Sequence, residues 1–218
     1  MLRKILKFFL ISAFLTFIVL CSYGCESDES PAIASIGIAD SETILFQSDI
    51  AGNCEICSIR SDSTEYKNLS NNPYKDICSA RSNDRTKIVF STDRNDSIFQ
   101  IYTMNPDGSN PAKIPNLPNN AVTPSFSPDG TKIIFSSRRT GNAEIFLMNN
   151  DGSNPVNISN SPLSNEYRAV YSPDGTRIAF SSDRDKTPEN YDIYIMNADG
   201  TDIRRLTESS FNNYVEYW

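Results

Sequence analysis

The sequence predicts an all-β chain built from four copies of one four-stranded antiparallel unit, set behind a separate N-terminal segment. Three observations predict it. Apolar runs ending in phenylalanine recur as "TILF", "KIVF", "KIIF" and "RIAF", placing Phe46, Phe90, Phe135 and Phe180 at intervals of 44, 45 and 45 residues. An isoleucine follows each run, at Ile56, Ile101, Ile145 and Ile193. A turn then follows in "NPDGS", "NNDGS" and "NADGT", with Gly108, Gly152 and Gly200 aligned and Ser63 in the first copy. A fixed period of this size marks supersecondary units that bury their apolar faces only against one another. The composition of the 218 residues agrees: 39% hydrophobic, 22% charged, with Pro and Gly scattered throughout, as short strands joined by many turns require.

The first element is not part of this array. Arg3, Lys4 and Lys7 precede an apolar run from Phe8 to Cys21, and small residues lead to Cys25. A basic head, a short apolar core and a small-residue end have the form of an export signal over residues 1–24, too short to span a bilayer comfortably. Ser22-Tyr23-Gly24-Cys25 resembles the lipobox of bacterial lipoproteins, which makes Cys25 the predicted lipidation site; Tyr23 departs from that motif, which prefers a small residue there. Ordinary secretion, or retention of the segment as an anchor, are the alternatives. Residues 25–34 are then a lipidated tether, polar over "ESDESP", and the repeats occupy residues 35–218.

Beyond residue 24 the chain carries 17 basic and 27 acidic residues, a formal charge of −10. Such a surface repels nucleic acid, and no basic run follows Lys7 to reverse that locally. Cys54, Cys57 and Cys78 remain after Cys25. "CEIC" has the spacing of a redox or metal half-site, but there is no second such pair and no histidine to complete a zinc site. Cys57 aligns with Phe146 and Tyr194, so a small core residue is the preferred reading, with pairing to Cys78 as the alternative.

Within the third repeat the strands fall at Val122–Ser127, Lys132–Ser136, Glu144–Met148 and Pro155–Ile158. Ser-Pro-Asp-Gly at 127–130 joins the first two. Serine opens a type I turn, proline presets the next φ, and glycine takes the left-handed conformation that closes the hairpin. The second repeat has Arg85 in the glycine slot and the first has Ser41, which predicts looser turns there. The Asp-Gly pairs lack the alternating acids of a calcium loop, so turn chemistry accounts for them.

Spacing separates scaffold from variable surface. The glycine-slot residue lies five before the phenylalanine in Gly130/Phe135, Gly175/Phe180 and Arg85/Phe90, whereas phenylalanine to isoleucine varies over 10, 11, 10 and 13. The variable lengths hold the loops between second and third strands. In an up-and-down meander these share one end with the connections between units. Loops of free length on a rigid frame commonly carry binding, so this end is the candidate working face.

"FSPDGTKIIFSSRRTGNAEIFLMNNDGSNPVNIS" and "YSPDGTRIAFSSDRDKTPENYDIYIMNADGTDIRRLT" resemble the WD40-like β-propeller repeats of the TolB family, strongly over residues 82–208 and more weakly over 35–75. The resemblance implies a β-propeller of about four blades, each a four-stranded antiparallel sheet. It also implies a non-enzymatic envelope module that binds another envelope protein or a cell-wall component. The departures are the lack of room for TolB's α/β domain and four repeats where that family has six blades. Similar repeats occur in tricorn-type proteases and dipeptidyl peptidases, whose catalytic domain has no counterpart here. Ring closure has two readings. Tyr214–Trp218 falls on a first-strand position and is preferred as the missing first strand of the first blade; Ile33–Ile38 fits the same slot. Failing both, two chains would assemble a larger propeller, or the four repeats are a fragment of one.

Candidate contact residues at the loop end are Tyr74, Arg94, Arg138, Arg139, Arg184, Tyr191 and Phe211. Arg94 and Arg184 recur with an acid in "STDR" and "SSDR", so a network within the blade competes with a contact role; "SSRR" breaks that pattern at Arg138 and Arg139. The absence of histidine excludes Ser-His-Asp and Cys-His nucleophilic systems. No cofactor or metal is predicted. Glu55, Glu144 and Asp192 repeat from unit to unit before the landmark isoleucine, as blade hydrogen-bonding elements do. The rival function is a hydrolase or lyase of polysaccharide using carboxylates at the channel mouth.

Overall fold

Alternating apolar residues and turn residues at fixed positions build one blade after another. The computed structural model describes residues 43–50, 52–94, 98–115, 117, 120–185 and 190–218; residues 1–24, expected as an export signal, Cys25, residues 25–34, expected as a tether, Ile33–Ile38 and the Ser41 turn lie outside these. The first blade comprises β1 (Thr43–Ser48), β2 (Glu55–Arg60) and β3 (Lys67–Asn68). The second comprises β4 (Asp76–Arg81), β5 (Ile88–Thr92), β6 (Gln100–Met104) and β7 (Ala112–Lys113). The third holds β8 (Ala121–Phe126), β9 (Lys132–Ser137), β10 (Glu144–Asn149) and β11 (Val156–Asn157). The fourth holds β12 (Glu166–Tyr171), β13 (Arg177–Ser182), β14 (Asp192–Asn197) and β15 (Arg204–Arg205). Every sheet is an antiparallel meander in chain order, and the four form the blades of an all-β propeller. The fourth strand of the third blade is shorter than predicted. Asn157 Oδ1 accepts from the backbone N–H groups of Ser159 and Asn160, each at 3.1 Å, and turns the chain out of the ladder.

The periodic residues are the blade-to-blade interfaces. Leu45, Ile56 and Leu69 of the first blade pack on Ile88, Phe90, Tyr102 and Met104 of the second. Val89, Ile101 and Ile114 meet Ile133, Phe135, Phe146 and Met148 at the same aligned positions one repeat on. Ile134, Ile145 and Ile158 meet Ile178, Phe180, Tyr194 and Met196. Phe90, Phe135 and Phe180 are wholly buried, and each stabilises its interface by roughly 2–3 kcal/mol in transfer alone. Packing runs from each blade to the next; no comparable packing joins the first and fourth blades among the described residues.

The Ser-Pro-Asp-Gly turn has its predicted geometry. Gly130 N donates to Ser127 O at 2.9 Å, Gly130 sits at φ 70°, and Ser127 Oγ donates to Asp129 Oδ1 at 2.5 Å. The looser turn expected at Arg85 is not found. Arg85 takes φ 60° and donates to Ser82 O at 2.9 Å, because Ser82 and Asp84 repeat the side-chain bond at 2.6 Å. Three further left-handed residues, Cys78 (54°), Thr123 (52°) and Arg168 (54°), occupy one aligned position. Each sits at a bulge where the first strand slips register against the second.

Cys57 is buried and free, as its alignment predicts, and burial raises its thiol pKa. Cys54 and Cys78 are disulfide-bonded, both packed against Ile77, Phe99 and Val122. Cys57, the half of "CEIC" within the strand, is therefore not a disulfide partner of Cys78.

The preferred ring closure is not formed with β1. The Tyr214 ring packs tilted on Tyr191 at 5.5 Å, Asn213 N donates to Tyr191 O at 2.8 Å, and Val215 N donates to Ser181 Oγ at 2.9 Å. Glu166 N donates to Ala143 O in the same way, as Asp76 N does to Cys54 O. Residues 213–218 thus occupy the first-strand slot of a blade following the fourth, and β1, a second strand by alignment, has no first strand beside it on its inner side among the described residues.

Candidate interaction surface

Hydrogen bonds tie the loops between second and third strands to the connections between blades, so both lie at one end as predicted. Lys75 N donates to Asp93 Oδ1 at 2.8 Å, and Asn165 N to Asp183 Oδ1 at 2.6 Å. At the other end the hairpin turns meet one another, with Asn150 N donating to Thr131 O at 3.0 Å and Ala198 N to Thr176 O at 2.9 Å.

An acid–arginine pair supports the loop end of two blades. Arg94 Nη2 lies 3.1 Å from Asp76 Oδ1 with its guanidinium over Tyr102, and Arg184 Nη2 lies 3.3 Å from Glu166 Oε1 with its guanidinium over Phe180 and Tyr194. Both acids are fully buried, so these arginines hold the blade together. In the third blade Ala121 replaces the acid. Arg139 rests on the Phe146 ring at 5.1 Å and is exposed. Arg138 replaces the aspartate of the neighbouring blades, and its Nη2 donates to the Tyr167 hydroxyl at 2.7 Å.

The remaining candidates separate by burial. Tyr74 and Phe211 are exposed, at 45% and 79%. Tyr191, expected on the surface, is 3% exposed and packed between Tyr167, edge-on, and Tyr214, tilted against it. Sequence reasoning missed Leu163, 99% exposed in the connection between third and fourth blades, and Ile50, 80% exposed in the first blade's loop. The signal for Leu163 was there: "NNPYKD", "NSPLSNE" and "ESSFNNY" each hold one bulky apolar residue among turn formers at corresponding places. Tyr74, Leu163, Phe211, Ile50 and Arg139 thus share the loop end, spread across the blades.

The repeated acids are internal. Glu144 accepts from Ser161 N at 3.0 Å, Glu55 from Asn53 Nδ2 at 2.8 Å, and Asp192 from Arg205 Nε at 2.9 Å. Glu166 Oε1 receives the Ser164 and Ser182 hydroxyls at 2.7 and 2.9 Å, while Oε2 is buried without a hydrogen-bond partner. Burial pushes its carboxyl up to about 7 against those hydroxyls and Arg184, and the Glu144 charge pushes the same way as burial. No group of three His, Cys, Asp or Glu gathers to hold a metal among the described residues, and none of their helices is long and apolar enough to cross a membrane.

Comparison with known proteins bears on this geometry. Residues 112–218 match the family described as the TolB beta propeller domain. The Tol-Pal system protein TolB of Orientia tsutsugamushi (strain Ikeda) is 36% identical over 78 residues, 34% of this chain and 17% of that protein. The chain thus spans about a sixth of the curated relative it matches. A putative TolB from Agrobacterium tumefaciens superposes with a TM-score of 0.67 at 24% identity, covering 75% of this chain and 60% of that one. TolB from Acinetobacter baumannii gives 0.64 at 23%, covering 75% and 40%. A chain of a nidogen/laminin complex gives 0.61 at 17%, covering 79% and 64%.

Proposed function

We propose that this chain, whose residues 112–218 match the TolB beta propeller domain and whose blades superpose on TolB structures, is a non-enzymatic binding module of the cell envelope. In this reading it is exported and held to a membrane by lipid on Cys25. The loop end of its blades meets another envelope protein or a cell-wall component. The observation that carries the reading is the gathering of Tyr74, Leu163, Phe211 and exposed Arg139 at one end. Aromatic and arginine side chains are what protein interfaces use as anchors, and solvent-exposed leucine and phenylalanine on rigidly held loops are covered when a partner arrives. The rival reading, a polysaccharide hydrolase or lyase, needs acids that meet a polymer. Glu144 and Glu166 are instead 2% and 0% exposed and held by serines.

A photo-crosslinker at Leu163 is expected to capture a partner in the intact envelope, and one at Asp151, in a turn of the opposite end, is not. Arg138→Glu with Arg139→Glu should abolish the adduct; an undiminished adduct would count against this face. Labelled fatty acid should enter the protein and fail to enter Cys25→Ala.

A further inference from the structure

Each of the first three blades presents the same three positions to its successor, and they are buried in each apart from Leu45 of the first, which is half-buried. Ile56, Ile101 and Ile145 are 0% exposed. The fourth blade presents Ala179, Ile193 and Leu206 at these positions, and Leu206 is 55% exposed. Together with Ile195, Tyr217 and Trp218 they line an open, mainly apolar groove of about 460 Å³. The first blade has a complementary opening at its β1 edge, while Cys57 deeper in the same face is already buried. The positions that seat on a preceding blade are Ile44, Phe46, Cys57 and Ile59, aligned with Ile88, Phe90, Tyr102 and Met104 of the second. Ile44 is 48% exposed, and β1 lacks an inner, first strand among the described residues.

We propose that the occupant of this groove is the first blade of a second copy of the chain. Two copies then join head to tail through two identical contacts, closing a two-fold ring of eight blades, the upper end of the usual range. Residues 213–218 supply the missing strand. They already stand in the first-strand slot before a following blade, bonded to Tyr191 and Ser181. In the second blade Ala80 faces Val89 and Arg81 faces Ile88. The aligned register sets Tyr217 opposite Leu45 and Trp218 opposite Ile44 of the partner copy. The contact repeats an interface this chain forms three times internally, so its chemistry is that of continuation: aliphatic positions from the fourth blade against aliphatic and aromatic positions from the first. The inference stands apart from the partner reading above, since the groove flanks the last blade and the loop end stays open.

The experiment uses the purified full chain. Light scattering with size exclusion should give the mass of a dimer, and Leu206→Asp, at a position already half exposed, should reduce it to a monomer with an unchanged circular dichroism spectrum. Independently, Ile44→Cys chains mixed with Trp218→Cys chains under mild oxidation should yield a covalent dimer that neither variant nor the parent forms alone. This second assay holds even if Leu206→Asp fails to fold. A monomer at all concentrations would overturn the proposal. So would a doubly substituted chain that crosslinks only within itself, because the ring would then close on its own first blade.

Discussion

Gly200 stands so close to the preceding blade that a Cβ on it would lie 2.6 Å from the Ile158 carbonyl oxygen. Gly152 repeats the relationship one blade earlier, 2.7 Å from Pro115 O. Both sit near φ 85°, but the contact is the larger constraint, because backbone across an interface cannot yield as a side-chain tip can. Gly130 has a similar φ and open space around it. Gly200→Ala is expected to cost about 3 kcal/mol, combining the left-handed penalty with overpacking. Gly130→Ala should cost about 1 kcal/mol, the conformational term alone. Urea unfolding of the two variants checks the contrast; equal losses would remove the interface explanation.

Glu166 sets a pH dependence. Its folded pKa, raised to about 7 by burial, lies above the ordinary value of 4.5. Between these two values the folded state holds a proton that the unfolded state releases, so stability falls as pH rises through this window. Denaturation midpoints should be higher at pH 5 than at pH 8, by roughly 1–3 kcal/mol for this group. Glu166→Gln keeps a neutral acceptor for Ser164 and Ser182 and should flatten the profile. An unchanged slope in that variant would assign the titration elsewhere.

The acid–arginine pairs predict opposite outcomes in adjacent blades. Asp76→Ala strands Arg94 beneath the surface and is expected to cost about 3 kcal/mol. Ala121→Asp creates in the third blade the pairing that the second has, drawing Arg139 inward. Its stability should stay within about 1 kcal/mol of the parent, while capture of a partner at the loop end declines. Thermal melts and the Leu163 crosslink read the two effects separately.

These contrasts also mark what the sequence could and could not disclose. Phe46, Phe90, Phe135 and Phe180 were legible because one interface is used again and again, and repetition of a contact forces repetition of a residue. The turn at Arg85 departs from the expectation set by glycine in the other repeats, because the Ser82–Asp84 bond enforces the turn around a residue at φ 60°. The bulges at Cys78, Thr123 and Arg168 share no residue type, so nothing in their letters announces them. Tyr191 was placed on the surface because a long loop precedes it; its ring is drawn inward by Tyr167 and Tyr214, which lie at first-strand positions far along the chain. Leu163 escapes the periodic pattern because the connections between blades are not held to one spacing by packing as the strands are. Surface chemistry that differs from blade to blade is, by construction, what periodicity cannot reveal.

The disulfide chemistry of Cys54 and Cys78 gives the last test. Both pack on Ile77, Phe99 and Val122, where the loop end of the first blade meets the second. Disulfide cross-linking of the chain there contributes on the order of 3 kcal/mol. Dithiothreitol should therefore lower the unfolding midpoint of the parent and leave the Cys54→Ala, Cys78→Ala double variant unmoved. Cys57 supplies the internal control. It is wholly buried in the first blade, and its raised thiol pKa leaves it protonated at neutral pH, so iodoacetamide should label it only after unfolding. Labelling of Cys57 in the native parent would mean that the first blade opens far more readily than its packing against Phe90 and Tyr102 allows.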